Sequence, residues 1–444
     1  MNPYSMLVTA SALAFGLPAQ AEGRTQLDDL RQVIAADMPG LLAIYRDLHQ
    51  HPELAFLEVR SAKVMADSAR AAGFAVTERV GKTGVVAVLR NGPGPTVMIR
   101  ADMDALPVVE QTGLPFASKM RGQAAGGETG IMHACGHDTH MTAWIATARL
   151  LAARKADWSG TLVMIGQPAE ETGQGAKAML DDGLYTRFPK PNYALAFHDM
   201  AATPAGKITY ASGPAMANVD SVDIEVKGVG GHGAAPHTTR DPVVLASAIV
   251  MRLQTLVSRE NNPVEPAVVT VGSFHAGSRY NIIGDSAKLQ LTVRSFTDEQ
   301  RERLKEGIER VVRGEAIASG VPGDKMPVIA FGVEHTPSLI NEPGFTAQVM
   351  EPLNERFGAD RVATAPPIMP GEDFARYRRA DPAHVQSVMF WVGGEDPAKI
   401  AAAEKSGEVL PSLHSPFWAP DAEKVIGTAA EALTSAAMRL MPKG

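Results

Sequence analysis

Four short apolar runs without polar alternation set the terms for the first half of this chain. They are Val85-Val86-Ala87-Val88-Leu89, Thr96-Val97-Met98-Ile99, Thr161-Leu162-Val163-Met164-Ile165 and Tyr193-Ala194-Leu195-Ala196-Phe197. A strand with one wet face alternates, whereas a strand buried on both faces reads as a continuous apolar run. Helical patterns lie between the runs, from His140 to Ala153 and from Gly175 to Asp182. The combination predicts an α/β unit, a mostly parallel sheet with helices on both faces. At 444 residues the chain is too long for one compact core, so about two or three domains are expected.

The rhythm changes near residue 217. Val222, Ile224 and Val226 alternate with Asp223, Glu225 and Lys227, the period of a strand with one exposed face. A glycine-rich loop follows, then a helix from Pro242 to Arg259 with Asp241 placed as its N-cap. Strands are expected at Ala267 to Phe274 and Lys288 to Phe296. A helix then starts at the capping box Thr297-Asp298-Glu299-Gln300, and a strand at Val328 to Phe331 closes the unit. Strand-helix-strand-strand-helix-strand is the ferredoxin-like, split βαβ order. The expected division is therefore a larger domain in two parts, 24–216 and 331–444, with a small α+β domain inserted at 217–330.

Met6 to Leu17 is apolar and runs into Pro18 and Ala19-Gln20-Ala21, a signal-peptidase pattern, so residues 1–21 are expected to direct export to the periplasm or beyond. No apolar run reaches the roughly 20 residues of a membrane-spanning helix. A net charge of −7 argues against a nucleic-acid partner. The only cysteine, Cys135, cannot form an internal disulfide.

Acidic and histidine residues gather where the apolar runs end: Asp102 and Asp104 after the second, Glu170 and Glu171 after the third, His198 after the fourth. In open α/β sheets ligands bind at the carboxyl ends of strands, so these residues are expected in one crevice. Between them lies His133-Ala134-Cys135-Gly136-His137-Asp138-Thr139-His140, one thiol and three imidazoles within eight residues. Thiolate and imidazole suit Zn²⁺ and related ions, and an extended loop presents Cys135 and His137 to one centre. Adjacent carboxylates on such a loop point different ways, so one of Glu170 and Glu171 can bind a metal while the other handles the proton of a water. Arg294 follows Leu289, Leu291 and Val293, faces away from their packed side, and is free to meet an anion.

Arg100-Ala101-Asp102-Met103-Asp104-Ala105-Leu106-Pro107, the His133 to His140 cluster and Gly166-Gln167-Pro168-Ala169-Glu170-Glu171 together resemble the M20 peptidase family. The likeness is greatest to its amidohydrolase branch, which holds hippurate hydrolases, N-acyl-amino-acid deacylases and auxin-conjugate hydrolases. His49-x-His51-Pro52-Glu53-Leu54, Gly228 to His237 and Leu413-His414-Ser415-Pro416-Phe417 extend it over roughly residues 40 to 435. The resemblance implies a zinc-exopeptidase-like fold with Cys135, His137, Glu171, His198 and His414 as ligands of a dinuclear centre. It implies Glu170 as general base and Asp104 as a carboxylate orienting a ligand. It further implies that His232 polarises the scissile carbonyl, reaching across a dimer, and that Asn281 and Arg294 hold the substrate carboxylate.

The expected function is thus hydrolysis of the amide of an N-acyl amino acid or short peptide by a metal-activated water. The expected cofactors are two divalent transition-metal ions, Zn or Mn, with Ni or Co as alternatives, in a homodimer or higher homo-oligomer. A carboxypeptidase or N-acetyl-amino-acid deacetylase of the same fold and a non-catalytic exported binding protein are the rivals. Three departures bear on pocket shape: Asn281-Ile282-Ile283-Gly284 where Asn-Val-Ile-Pro is usual, Pro370-Gly371 before Glu372-Asp373-Phe374 where Gly-Ser is usual, and Asp199 in place of an apolar residue.

Overall fold

The computed structural model describes residues 19–443, with side chains from residue 29 onward. The expected export segment falls largely on residues 1–18, outside the described residues; its last three positions open a helix, Ala19–Gln50. Along that helix Leu30, Ile34, Met38, Leu41, Tyr45 and Leu48 recur every three or four residues and are buried, a stripe that packs on the helices His137–Ala153 and Ala422–Leu440.

The main sheet has eight strands in the order Ala75–Val80, Gly84–Asn91, Gly160–Gln167, Thr96–Asp102, Tyr193–Pro204, Gln386–Glu395, Ile208–Tyr210, Val362–Thr364. Its four central strands, from Gly160–Gln167 to Gln386–Glu395, are mutually parallel. The unalternating runs now have their reason. Val97, Ile99, Leu162, Met164 and Leu195 enter the core under His137–Ala153 and Ala422–Leu440. Met98, Val163, Ile165, Ala194 and Ala196 enter a second core on the opposite face, against Met179, Phe374 and Tyr377. Burial on both faces removes the polar positions.

Two details depart from the expected pattern. Gly84–Asn91 lies antiparallel to Gly160–Gln167, because residues 92–95 turn the chain straight back into Thr96–Asp102, which runs parallel to Gly160–Gln167, too short a link for a crossover. The strand through Tyr193 runs on to Pro204, held past Phe197 by its parallel neighbour Gln386–Glu395, so His198 sits within a strand instead of just after one.

The second sheet has the order Val268–Ala276, Ser286–Ser295, Asn218–Lys227, Val328–Phe331, all antiparallel. In chain order this is second-third-first-fourth, the ferredoxin-like arrangement. One face buries Val222, Ile224, Val226, Leu289, Leu291 and Val293 under helices Pro242–Thr255 and Asp298–Ala318. Asp241 caps the first helix by accepting from Val243 N–H and Val244 N–H. Thr297 accepts from Gln300 N–H as a capping box requires, but the Gln300 side chain returns to Phe296 N–H, one residue early. The helix from Pro242 continues as a π-turn to Glu260; this span is the one described helix long and apolar enough to cross a membrane, and its Leu245, Ile249 and Leu253 are spent on the second sheet.

The chain leaves the large unit and returns to it side by side. Gly213–Met216 pairs antiparallel with Leu339–Asn341, and Val219 and Thr336 exchange backbone hydrogen bonds of 2.8 and 3.1 Å just beyond.

Candidate metal centre and active site

The loop bearing Glu170 and Glu171 is fixed by its own N–H groups. Ala169 N–H donates to Glu58 Oε1 (2.8 Å), Glu170 N–H to Asp104 Oδ1 (3.0 Å) and Glu171 N–H to Asp104 Oδ2 (3.0 Å). Charge-assisted bonds of this kind are the strong ones, and here they hold Ala169 in the left-handed region, φ 49°, which a residue with a Cβ rarely adopts. Asp104 also accepts at its backbone carbonyl from His137 Nδ1–H (2.8 Å). Asp104 thus fixes the backbone at Glu171 through its carboxylate and the ring of His137 through its main chain.

Orienting one nitrogen of an imidazole leaves the other for a cation. His137 Nε2 is buried and unpartnered among the described residues, as is Glu171 Oε1, and the two lie 4.0 Å apart. His198 donates Nδ1–H to the carbonyl of Asp199 (2.7 Å) and turns Nε2 to within 3.5 Å of Cys135 Sγ. His414, also left-handed at φ 68°, brings Nε2 to 3.2 Å from Cys135 Sγ and 3.6 Å from Glu171 Oε2. Cys135–His137–His198, Cys135–Glu171–His414 and His137–Glu170–Glu171 each keep their donor atoms within 4.8 Å of one another. The sets overlap at Cys135, His137 and Glu171, and their soft and borderline donors fit transition ions. His140 belongs to sets of similar size with Asp102 and Asp199 but does not fit as a ligand. Its Nδ1 lies 2.6 Å from Asp102 Oδ1, and its Nε2 accepts Asp199 N–H at 3.0 Å, so neither nitrogen is free.

The electrostatics are those of a buried cluster. Burial opposes ionisation of Asp102, but Arg100, His137 and His140 outweigh it and hold the carboxyl well below its usual range. Arg100 is itself buried, donating to Asp102 Oδ2 (2.5 Å), Glu372 Oε1 (2.8 Å) and Gln167 Oε1 (3.0 Å). Glu170 is pushed well above the carboxylate range by burial, then by the charges of Glu372 and Glu171. Burial, offset in part by His137, raises Glu171 to about 7. Burial and the Glu171 carboxylate push the Cys135 thiol up as well. A cation among these groups would reverse the trend, since each ionises to a better ligand.

One side of this cluster opens on a cavity of about 490 Å³ lined from both sheets. Glu170, Glu171, Cys135, His198 and His414 form one wall, Met200, Met216, Ile368 and Trp391 supply apolar surface, and Arg294 reaches in from the second sheet. Arg294 is half-buried, as its register opposite Leu289, Leu291 and Val293 requires, and its Nη1–H donates to Met369 O (2.9 Å). His232 and Asn281 do not line this cavity. They lie beside each other elsewhere on the small unit, where His232 pairs with Ile282 and Gly233 N–H donates to Asn281 O (2.9 Å). Sequence reasoning left unassigned His140, Arg100 and Glu372, whose roles depend on partners from other strands, and Glu58, which gives no local sign of reaching Ala169.

Residues 98–408 match peptidase family M20/M25/M40. A thermostable carboxypeptidase of Saccharolobus solfataricus is 35% identical over 397 residues, 88% of this chain and 94% of its own. Hippurate hydrolase of Campylobacter jejuni is 41% identical over 279 residues, 63% of this chain and 70% of its own. Among solved structures, the Bacillus subtilis YXEP protein, described as a dinuclear metal-binding peptidase of family M20, superposes with a TM-score of 0.73 at 31% identity, covering 92% of this chain and 99% of its own. Sequence match, sheet order and donor cluster agree: the chain belongs to peptidase family M20/M25/M40 and is a metal-dependent amidohydrolase.

Proposed function

We propose that this enzyme hydrolyses the amide bond of a small N-acyl amino acid or short peptide, with Cys135, His137, Glu171, His198 and His414 holding two divalent cations and Glu170 serving as general base. The observation that carries the reading is the overlap of donor sets at Cys135, His137 and Glu171, with Cys135 and Glu171 on the wall of a cavity that Arg294 also lines and His137 buried behind it. Zn²⁺ or Mn²⁺, with Ni²⁺ or Co²⁺ as alternatives, are the expected ions; the thiolate and imidazoles suit Zn²⁺, and the carboxylate of Glu171 is the donor that suits Mn²⁺. Bound there, such cations lower the pKa of water toward neutrality and polarise a carbonyl.

Glu170, adjacent to a ligand but not needed as one, takes the proton of the attacking water and returns it to the departing nitrogen. The raised affinity of its carboxyl for a proton suits that exchange. Arg294 binds the substrate carboxylate through its planar fork. The apolar wall of Met200, Met216, Ile368 and Trp391 takes the acyl group and excludes water. His232 and Asn281 lie off the cavity of their own chain, which supports a homodimer in which each copy lends them to the other. The small unit then acts as a lid, and residues 1–21 as an export signal.

Metal analysis of the purified protein, followed by assay on benzoyl-, acetyl- and dipeptide substrates, tests the reading and separates its deacetylase and carboxypeptidase rivals. Glu170→Gln is expected to keep its metal and lose turnover by about 10²- to 10⁴-fold. Near-normal turnover in that variant removes Glu170 from the role.

A further inference from the structure

Asp199 is not used by the chemistry above. It follows His198 on the strand Tyr193–Pro204; its carboxylate is fully buried, and Oδ1 has no hydrogen-bond partner among the described residues. A buried polar atom left so is costly and calls for a reason. Oδ1 lies 3.4 Å from His198 Nδ1 and 3.6 Å from His140 Nε2, while Oδ2 accepts from the Thr139 hydroxyl at 3.3 Å. Room for this carboxylate depends on Gly136: its φ is 76°, and a Cβ there would stand 1.8 Å from Asp199 Oδ2. Two residues flanking the cluster are thus matched, one lacking a side chain where the other has a charge.

The backbone of Asp199 works on the same two rings. Its carbonyl takes the Nδ1–H of His198, which leaves the lone pair of that imidazole on Nε2, 3.5 Å from Cys135 Sγ. Its N–H occupies His140 Nε2 and so leaves Nδ1–H for Asp102. Asp199 could be read instead as a ligand grouped with His140 and His198. That reading fails, because the ring nitrogens facing its carboxylate are the ones already engaged by its own main chain.

We propose that Asp199 is a positioning residue of the metal centre, whose carboxylate places negative charge behind His198 and strengthens the hold of the Cys135–His137–His198 set on its cation. A carboxylate behind a ligating imidazole fixes the ring and raises its basicity toward the metal. The proposal rests on the metal reading given above.

The test uses the full-length protein, stripped with a chelator and titrated with Zn²⁺ and Co²⁺ against a chromophoric competitor. The thiolate-to-Co²⁺ absorption band reports on the Cys135 set independently of turnover. In Asp199→Asn, affinity at one of the two sites is expected to fall about 10- to 100-fold and the band to shift, while the metal-free variant melts no lower than the metal-free wild type. Unchanged affinities with an unchanged band overturn the proposal. So does a metal-free variant that melts well below wild type, because Asp199 is then a support of the fold. Should the wild-type protein take up no divalent cation, the metal reading falls and takes this inference with it; a difference absent only between wild type and variant sinks the inference alone.

Discussion

Along the central strands of the eight-stranded sheet, Asp102 and Gln167 at strand ends and His198 within a strand are buried and hydrogen-bonded. On the outward face of the four-stranded sheet, Lys288 and Gln290 stand in solvent and Arg294 is only half covered. The first sheet is packed on both faces, so its polar side chains have no water to turn to and must satisfy one another. The second has one apolar core and one wet face. Such a pairing separates two tasks: the large unit holds reacting groups in fixed places, and the small unit offers side chains that can meet different molecules.

Among substitutions that leave Glu170 itself in place, the largest effect is expected where the large unit fixes the loop. Asp104→Ala releases the N–H groups of Glu170 and Glu171 together and is expected to lower metal affinity or turnover by about 10- to 100-fold, read by metal titration and kcat. If a substitution confined to the small unit did equal damage to kcat, the division of tasks would be lost.

Arg294→Ala should act on the other side of that division. Loss of a charge-assisted bond of about 1.5–3 kcal/mol to a substrate carboxylate is expected to raise KM by about tenfold or more, with kcat less affected. An unchanged KM would mean that the carboxylate is held elsewhere.

A smaller effect sharpens the account of how the large unit tolerates buried charge. His49 bonds Asp138 Oδ2 at 2.6 Å and Glu110 Oε1 at 3.0 Å. Burial alone would lower its pKa, but the two carboxylates raise it from 6.5 to about 10. Because the folded value is the higher one, this stabilisation is complete below pH 6.5 and lost as pH rises through about 10. The gap in melting temperature between wild type and His49→Gln should therefore be widest near pH 6.5 and close toward pH 10; a gap independent of pH would show that His49 acts by packing alone.

Much of this was readable in the residues. Unalternating runs at Val97–Ile99 and Leu162–Ile165 announced strands buried on both faces, and the alternation at Val222–Val226 announced one wet face, because burial acts on each position separately. The Cys135–His140 cluster was dense enough to point to metal from composition alone. Strand direction was harder. Val85–Leu89 looks like its parallel neighbours, since a strand covered on both faces keeps the same side chains whichever way it runs. Least legible were residues whose meaning lies in a partner: Glu58 reaches Ala169 across more than a hundred positions, and His140, one of three imidazoles in its cluster, is set apart only by Asp102 and Asp199 on its two nitrogens.

The adjacent exit and return of the chain at Gly213–Met216 and Leu339–Asn341 has a consequence for how such a protein can change. All eight strands of the large sheet, and every donor around Cys135, are supplied by residues outside that excursion. A graft made at this narrow neck could exchange the whole appendage, and with it Arg294 and whatever else the small unit turns toward the cavity, while the donor cluster and the apolar wall are inherited intact.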